Sequence, residues 1–335
     1  ECDWSSDVCS PDLSYFHDHL FKKFDWTVEP DVSLQNLYKL RAQQIRDEYD
    51  YVILSFSGGS DSLEILHVFM ENNIFLDEVQ ILHFEKAISK LDFEEVMKHP
   101  DLGYFAEYQL SALPALAQLR LKSPNTKINS IDISDRFMEE AAKGGFRREQ
   151  TSTRTALINS PTVLHTSLHI NNELFNETTL TKKSRVALIV GNDKPVTRIK
   201  DNKMYFFFTD VCYYNTKLMN TKEVDKIYYV EEFFWSPKAP LIPIKQTHVI
   251  KRVIETDPVF RARYFQVQDE NKQFLKGRRK GIDINFEREQ GRYIYAHWNG
   301  LNLPKSGPSR PEATLAQLLT GKTFLMDSVN EQNVH

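Results

Sequence analysis

The sequence predicts an α/β protein centred on a doubly wound, mostly parallel sheet, with a C-terminal α+β extension. Three observations predict it. The apolar run Tyr51 to Phe56 (YVILSF) passes through a Ser-Gly-Gly-Ser turn into a helically periodic stretch that begins at Asp61. A second apolar run, Glu78 to Phe84 (EVQILHF), follows at once, which completes a strand, turn, helix and strand and so makes two parallel neighbours. A later run, Arg185 to Val190 (RVALIV), ends at Gly191 as a further strand of that sheet would.

Each element has a local reason. Leu34 to Arg46 (LQNLYKLRAQQIR) places apolar residues at helical spacing and leads into the first strand. Tyr51 to Phe56 is short, continuous and rich in β-branched and aromatic residues, the pattern of a strand buried on both faces. Leu63, Ile65, Leu66, Phe69 and Met70 line a helix, and Asp61 in its first turn suits the positive end of the dipole. Helical spacing returns at Asp92 to Lys98 and Tyr104 to Leu121, then a strand at Lys127 to Ile133 and a helix at Asp135 to Lys143. Past Pro195 the pattern changes: TRIKDNKMYFFFT alternates around Asp201-Asn202 as a hairpin does, and aromatics crowd at Tyr213, Tyr214, Tyr228, Tyr229 and Phe233 to Trp235. Ile244 to Glu255 reads as a helix, and Pro304, Pro308 and Pro311 mark a loop.

The chain of 335 residues, 41% hydrophobic and 12% aromatic, suffices for one large α/β domain or two smaller ones. No window approaches the roughly 18 uninterrupted apolar residues of a membrane helix, and no basic start or apolar signal core is present. A cytoplasmic protein without a membrane partner is therefore expected. The opening ECDWSSDVCSPDL has four acids, no Lys or Arg and no period, and resembles translated adapter sequence, so residues 1–13 are expected to be foreign to the fold. Without them 42 acidic residues face 42 basic ones, a balance that does not indicate a nucleic-acid partner. Cys212 is then the only cysteine, which excludes a disulfide framework, a CxxC pair and a cysteine-built zinc site. The organisation expected is a nucleotide-binding domain over 14–195 and an aromatic-rich extension over 196–335 that serves an acceptor substrate.

The chemistry concentrates in Ser57-Gly-Gly-Ser-Asp-Ser62. A turn between a buried strand and a helix sets backbone N–H groups at the carboxyl edge of the sheet, beside the helix N-terminus. Gly58 and Gly59 allow close backbone approach, Ser57, Ser60 and Ser62 add hydroxyls, and Asp61 offers a carboxylate for Mg²⁺. Together they make a phosphate cradle; a bare Gly-Gly pair would be a tight turn and nothing more. SGGSDS resembles the SGGxDS signature of the PP-loop ATP pyrophosphatases, the adenine nucleotide alpha-hydrolase-like superfamily. The resemblance is specific over Tyr51 to Phe84 and extends as a fold to about Pro195. It implies that Ser57, Gly58, Gly59, Ser60, Asp61 and Ser62 hold the β and γ phosphates of ATP with Mg²⁺, that His83 and Phe84 border the adenine, and that attack at the α-phosphorus yields an adenylated substrate and pyrophosphate. The later residues are similar to those of uncharacterised PP-loop proteins of large tailed phages, which carry no assigned activity.

A second candidate is Gly191-Asn-Asp-Lys-Pro195, predicted on the same carboxyl edge, from which Lys194 would reach a phosphate and Asp193 a metal; the competing reading is an ordinary strand-end turn. Weaker features fall away. Thr320-Gly-Lys-Thr323 has Ala316 where a Walker A loop needs glycine. His165 and His169 lack a third ligand, His248 and Lys251 share an ordinary polar helix face, and the aromatics near 228–235 suit a core better than a base platform. Two other activities compete with adenylation. A phosphoadenylylsulfate reductase-like enzyme would need a tail cysteine in the pattern ECGLH, and this tail ends VNEQNVH. A non-catalytic nucleotide-binding protein would keep the cradle without turnover.

Overall fold

The computed structural model describes residues 18–92, 105–142, 185–191, 195–200, 203–207, 228–275, 290–298 and 300–301, with the single positions 94, 98, 99, 102, 315, 318 and 319. Its sheet has five strands: β1 (Tyr51–Ser55), β2 (Glu78–His83), β3 (Lys127–Asp132), β4 (Val186–Val190) and, after a separate pair, β7 (Tyr228–Glu232). They lie in the order β3-β2-β1-β4-β7, and every pairing is parallel. β5 (Val196–Lys200) and β6 (Lys203–Phe207) form the expected antiparallel hairpin as a separate two-stranded sheet, whose turn lies outside the described residues.

The helices among the described residues are α1 (Asp18–Phe21), α2 (Leu34–Glu48), α3 (Ser60–Glu71), α4 (Glu85–Ile88), α5 (Leu113–Lys122), α6 (Ser134–Ala142), α7 (Leu241–Thr256), α8 (Pro258–Leu275) and α9 (Gly291–Ile294). A π-helical turn, Tyr108–Ala112, precedes α5. Ser33 caps α2 by accepting the Asn36 N–H at 3.3 Å. Most of the helix expected over Asp92 to Lys98 falls outside the described residues. Among the described residues no helix is long and apolar enough to cross a membrane.

Alternation along the parallel strands fills two cores. Val52 and Leu54 of β1 join Ala187 and Ile189 of β4 against α2, α3 and α7, while Ile53, Val186, Leu188 and Val230 pack on the opposite face. The composition shift near residue 195 is not the edge of the sheet, since β7, from the region expected to be an extension, completes it beside β4. The chain continues from β7 into Phe233 and Phe234, fully buried against Tyr38 and Tyr295, so this part of the aromatic crowd is core, whereas Tyr229 is exposed and Tyr213 and Tyr214 lie outside the described residues. α2, α7 and α9 gather behind α3: the Tyr38 hydroxyl donates to the Ile294 carbonyl at 2.9 Å and accepts from Gln246 Nε2 at 3.0 Å.

A buried polar cluster ties β7 to α2. Arg41 donates to Glu231 Oε2 at 2.7 Å, to the Glu232 carbonyl at 2.9 Å and to Ser236 Oγ at 3.2 Å. Glu231 also accepts from Lys238 Nζ at 2.6 Å and from the Tyr49 hydroxyl. Burial opposes ionisation of Glu231, yet Arg41, Lys238 and Tyr49 outweigh it and hold its carboxyl below the ordinary range.

Candidate functional site

The sheet order makes a site before any side chain is considered. The chain steps outward from β1 to β2 to β3, then returns to lay β4 on the other side of β1. Connections therefore leave the carboxyl ends of β1 and β4 in opposite directions, and such a reversal opens a crevice in parallel sheets. Ser57 to Ser62 occupies the end of β1, and Gly191 the end of β4.

The loop is held by its own hydroxyls. Ser62 Oγ accepts the Ser57 N–H at 3.2 Å and donates to the Gly59 carbonyl at 3.1 Å, and Ser57 Oγ accepts the Gly59 N–H at 3.2 Å. Gly59 opens α3 as its N-cap without a side chain to spend on the first turn. Ser60 and Asp61 are partly exposed, while Ser62 is buried. The loop thus uses Ser57 and Ser62 to shape its backbone, and leaves Ser60 and Asp61 at the rim.

Of the two loop glycines, Gly58 has the conformational requirement. Its φ is +86°, and a Cβ there would lie 2.8 Å from Ala112 Cβ and 3.0 Å from the Ala112 nitrogen. Gly59 has an ordinary backbone, and a Cβ there would meet Ser57 Oγ at 3.3 Å and both Glu107 carboxylate oxygens at 3.5 Å. Gly191 is a case of close approach: its Cβ would lie 3.1 Å from the Asp61 carbonyl carbon, the Ser62 nitrogen and Ile65 Cδ1. The end of β4 therefore rests on the first turn of α3, which joins the two motifs singled out in the sequence. Asp193 and Lys194 lie outside the described residues.

Several participants carried no sequence signal. Ser111 Oγ donates to the Gly58 carbonyl at 2.6 Å, and Glu107, one helical turn earlier, sets its carboxylate over Gly59. Both belong to the segment broken by the π turn, a local widening frequent where a helix meets a site. Tyr295 approaches Asp61 from the far end of the chain. Burial raises its hydroxyl well above the usual range, and the Asp61 charge acts in the same direction, so it stays a proton donor beside that carboxylate.

His83, the last residue of β2, is buried with its ring stacked on Tyr108 at 4.3 Å between centroids. Its Nδ1 lies 3.8 Å from Asp132 Oδ2. Burial raises the Asp132 carboxyl, but hydrogen bonds from Ser134 and the Lys86 N–H, with the His83 charge, bring it below its ordinary value. Phe84 points elsewhere: its ring meets Phe105 at 5.2 Å and Phe137 at 5.1 Å, both edge-on, in a small core. The flat surface beside the loop is therefore the His83–Tyr108 pair. Of the weaker sequence features, His248 Nε2 lies 3.0 Å from the Trp26 carbonyl oxygen and Lys251 pairs with Glu255, both structural contacts. His165, His169, Cys212 and the 320–323 turn lie outside the described residues.

No protein-family model and no curated protein sequence matches the chain.

Proposed function

We propose that this chain is a PP-loop enzyme that binds Mg-ATP across Ser57 to Ser62 and cleaves it between the α and β phosphates to adenylate an acceptor. The observation that carries the reading is the union of the complete SGGSDS string with its position, the β1-to-α3 turn at the reversal of strand order. The residues suit the ligand. A helix start without a side-chain cap suits phosphate oxygens, and Gly58 at positive φ lets the loop turn tightly against Ala112. Two carboxylates, Asp61 and Glu107, flank the loop, an arrangement that suits a phosphate bound together with a divalent cation.

In this reading an acceptor oxygen attacks the α-phosphorus, the bond from that phosphorus to the bridging oxygen breaks, and its electron pair leaves with pyrophosphate. Loop N–H groups would neutralise the leaving charge, with a bound Mg²⁺ ion supplying further positive charge there, and no side chain need attack phosphorus. Asp61, beside the Tyr295 hydroxyl, would hold that ion. Asp193 and Lys194, two and three residues beyond Gly191 in sequence, supply a further carboxylate and the cation that meets the phosphates. The His83–Tyr108 pair offers a stacking surface for the base.

The product released from ATP decides between this reading and its alternatives. Adenylation releases pyrophosphate, stimulated by the true acceptor in a screen of carboxylates, carbonyls and amides; a regulator that only binds nucleotide releases nothing. Cys212→Ser is expected to leave this release and nucleotide binding nearly unchanged, because the thiol lacks the tail context of a reductase nucleophile. Complete loss of turnover in folded Cys212→Ser protein would instead support thiol chemistry.

A further inference from the structure

Along α3, Glu64, His67 and Glu71 form one stripe at i, i+3 and i+7, and His297 closes over it from the segment after α9. Glu64 is buried and accepts both the His297 backbone N–H, at 2.9 Å, and its ring Nδ1–H, at 3.0 Å. With Nδ1 turned to Glu64, Nε2 is the ring atom left to face a second partner. Nε2 lies 2.9 Å from Glu71 Oε1, a contact that needs either a proton on Nε2 or a shared cation. His67 Nδ1 lies 3.7 Å from the same oxygen, buried and without a hydrogen-bond partner.

We propose that His67, Glu71 and His297 form a binding site for a divalent transition-metal ion of the zinc type, with Glu64 as the carboxylate that orients His297. The three ligand atoms lie within 4.8 Å of one another. Tetrahedral zinc with bonds of about 2.0–2.1 Å spaces its ligands by about 3.3 Å, and the distances of 2.9 and 3.7 Å to Glu71 Oε1 bracket that value. A proton on Nε2 would satisfy only the His297–Glu71 contact, whereas a dipositive ion satisfies all three groups. Two imidazoles and one carboxylate are a borderline donor set that suits zinc over magnesium, and the carboxylate–histidine arrangement at Glu64 is the usual outer support of such ions. The two rings now lie face to face, with centroids 4.0 Å apart and planes within 3°, so a shared ion requires the His67 ring to turn about its Cβ–Cγ bond. Water completes the coordination. The ion would clip the helix that carries the nucleotide loop to the C-terminal segment that carries Tyr295, and it does not depend on the ATP reading.

The test titrates Zn²⁺ alone, without nucleotide, into the chelator-treated full chain near neutral pH, with calorimetry and thermal unfolding as readouts. The wild type is expected to take up one saturating equivalent, and its melting temperature to rise by about 5 °C at a hundredfold excess over Kd. His67→Ala and Glu71→Gln, which leave the Glu64–His297 contact in place, should each bind that equivalent at least tenfold more weakly and lose the thermal shift. Absence of a saturating equivalent in the wild type would overturn the proposal, as would unchanged affinity in either folded variant.

Discussion

Arg41→Met is expected to destabilise the fold by about 3–5 kcal/mol, the usual consequence of removing one partner from a buried ion pair. The guanidinium is fully buried and its partner Glu231 nearly so, and the same group satisfies the Glu232 carbonyl and Ser236 Oγ. Methionine fills the volume but leaves the Glu231 carboxylate with Lys238 and Tyr49 only. Denaturant unfolding of the two proteins measures the difference. The pair also sets a pH dependence. The Glu231 carboxyl is depressed below its ordinary value of 4.5, so its contribution is complete above that value and is lost as pH falls through the depressed one. The variant should therefore lose less stability than the wild type across that acid window. A change under 1 kcal/mol, or equal acid slopes, would show that the cluster does not hold β7 to α2.

Gly58→Val should cost about 2–4 kcal/mol, from a left-handed backbone that a β-branched residue resists and from a Cβ driven into Ala112. Gly59→Ala is the contrast. Its backbone is extended and its Cβ contacts are only tight, so its cost should stay below about 1 kcal/mol. Unfolding midpoints measured side by side separate the two. Equal stability of the two variants would mean that Gly58 does not hold the conformation described.

The parts of the protein legible in sequence are those whose reasons are local. YVILSF and RVALIV read as near-continuous apolar runs and EVQILHF as an apolar run interrupted by Glu78, Gln80 and His83, and all three appear as parallel strands within a residue or two of their expected ends. The loop was legible because strand, glycines, hydroxyls and acid lie within a dozen residues. β7 was not, because Tyr228–Glu232 ends in two buried glutamates, and Glu231 is paired by Arg41, Lys238 and Tyr49, partners remote from β7 or beyond its end. Glu107, Ser111 and Tyr295 were invisible for the same reason: each reaches the loop across the fold, and none carries a motif. The resemblance sets both His83 and Phe84 beside the adenine, but β2 ends at His83 and Phe84 caps the next helix, and here one ring stacks on Tyr108 while the other enters a core.

Calorimetric titration with Mg-ATP of the folded wild type and of Asp61→Ala tests the central claim most directly. Asp61 is partly exposed at the rim of the loop, so its removal should leave the fold intact while withdrawing a charged contact to the bound cation. The account predicts saturable binding by the wild type and an affinity lower by about ten- to a hundredfold in the variant, equivalent to about 1.5–3 kcal/mol. Equal affinities in the two proteins, or no binding of Mg-ATP by the folded wild type, would contradict the assignment of Ser57 to Ser62 as a phosphate cradle.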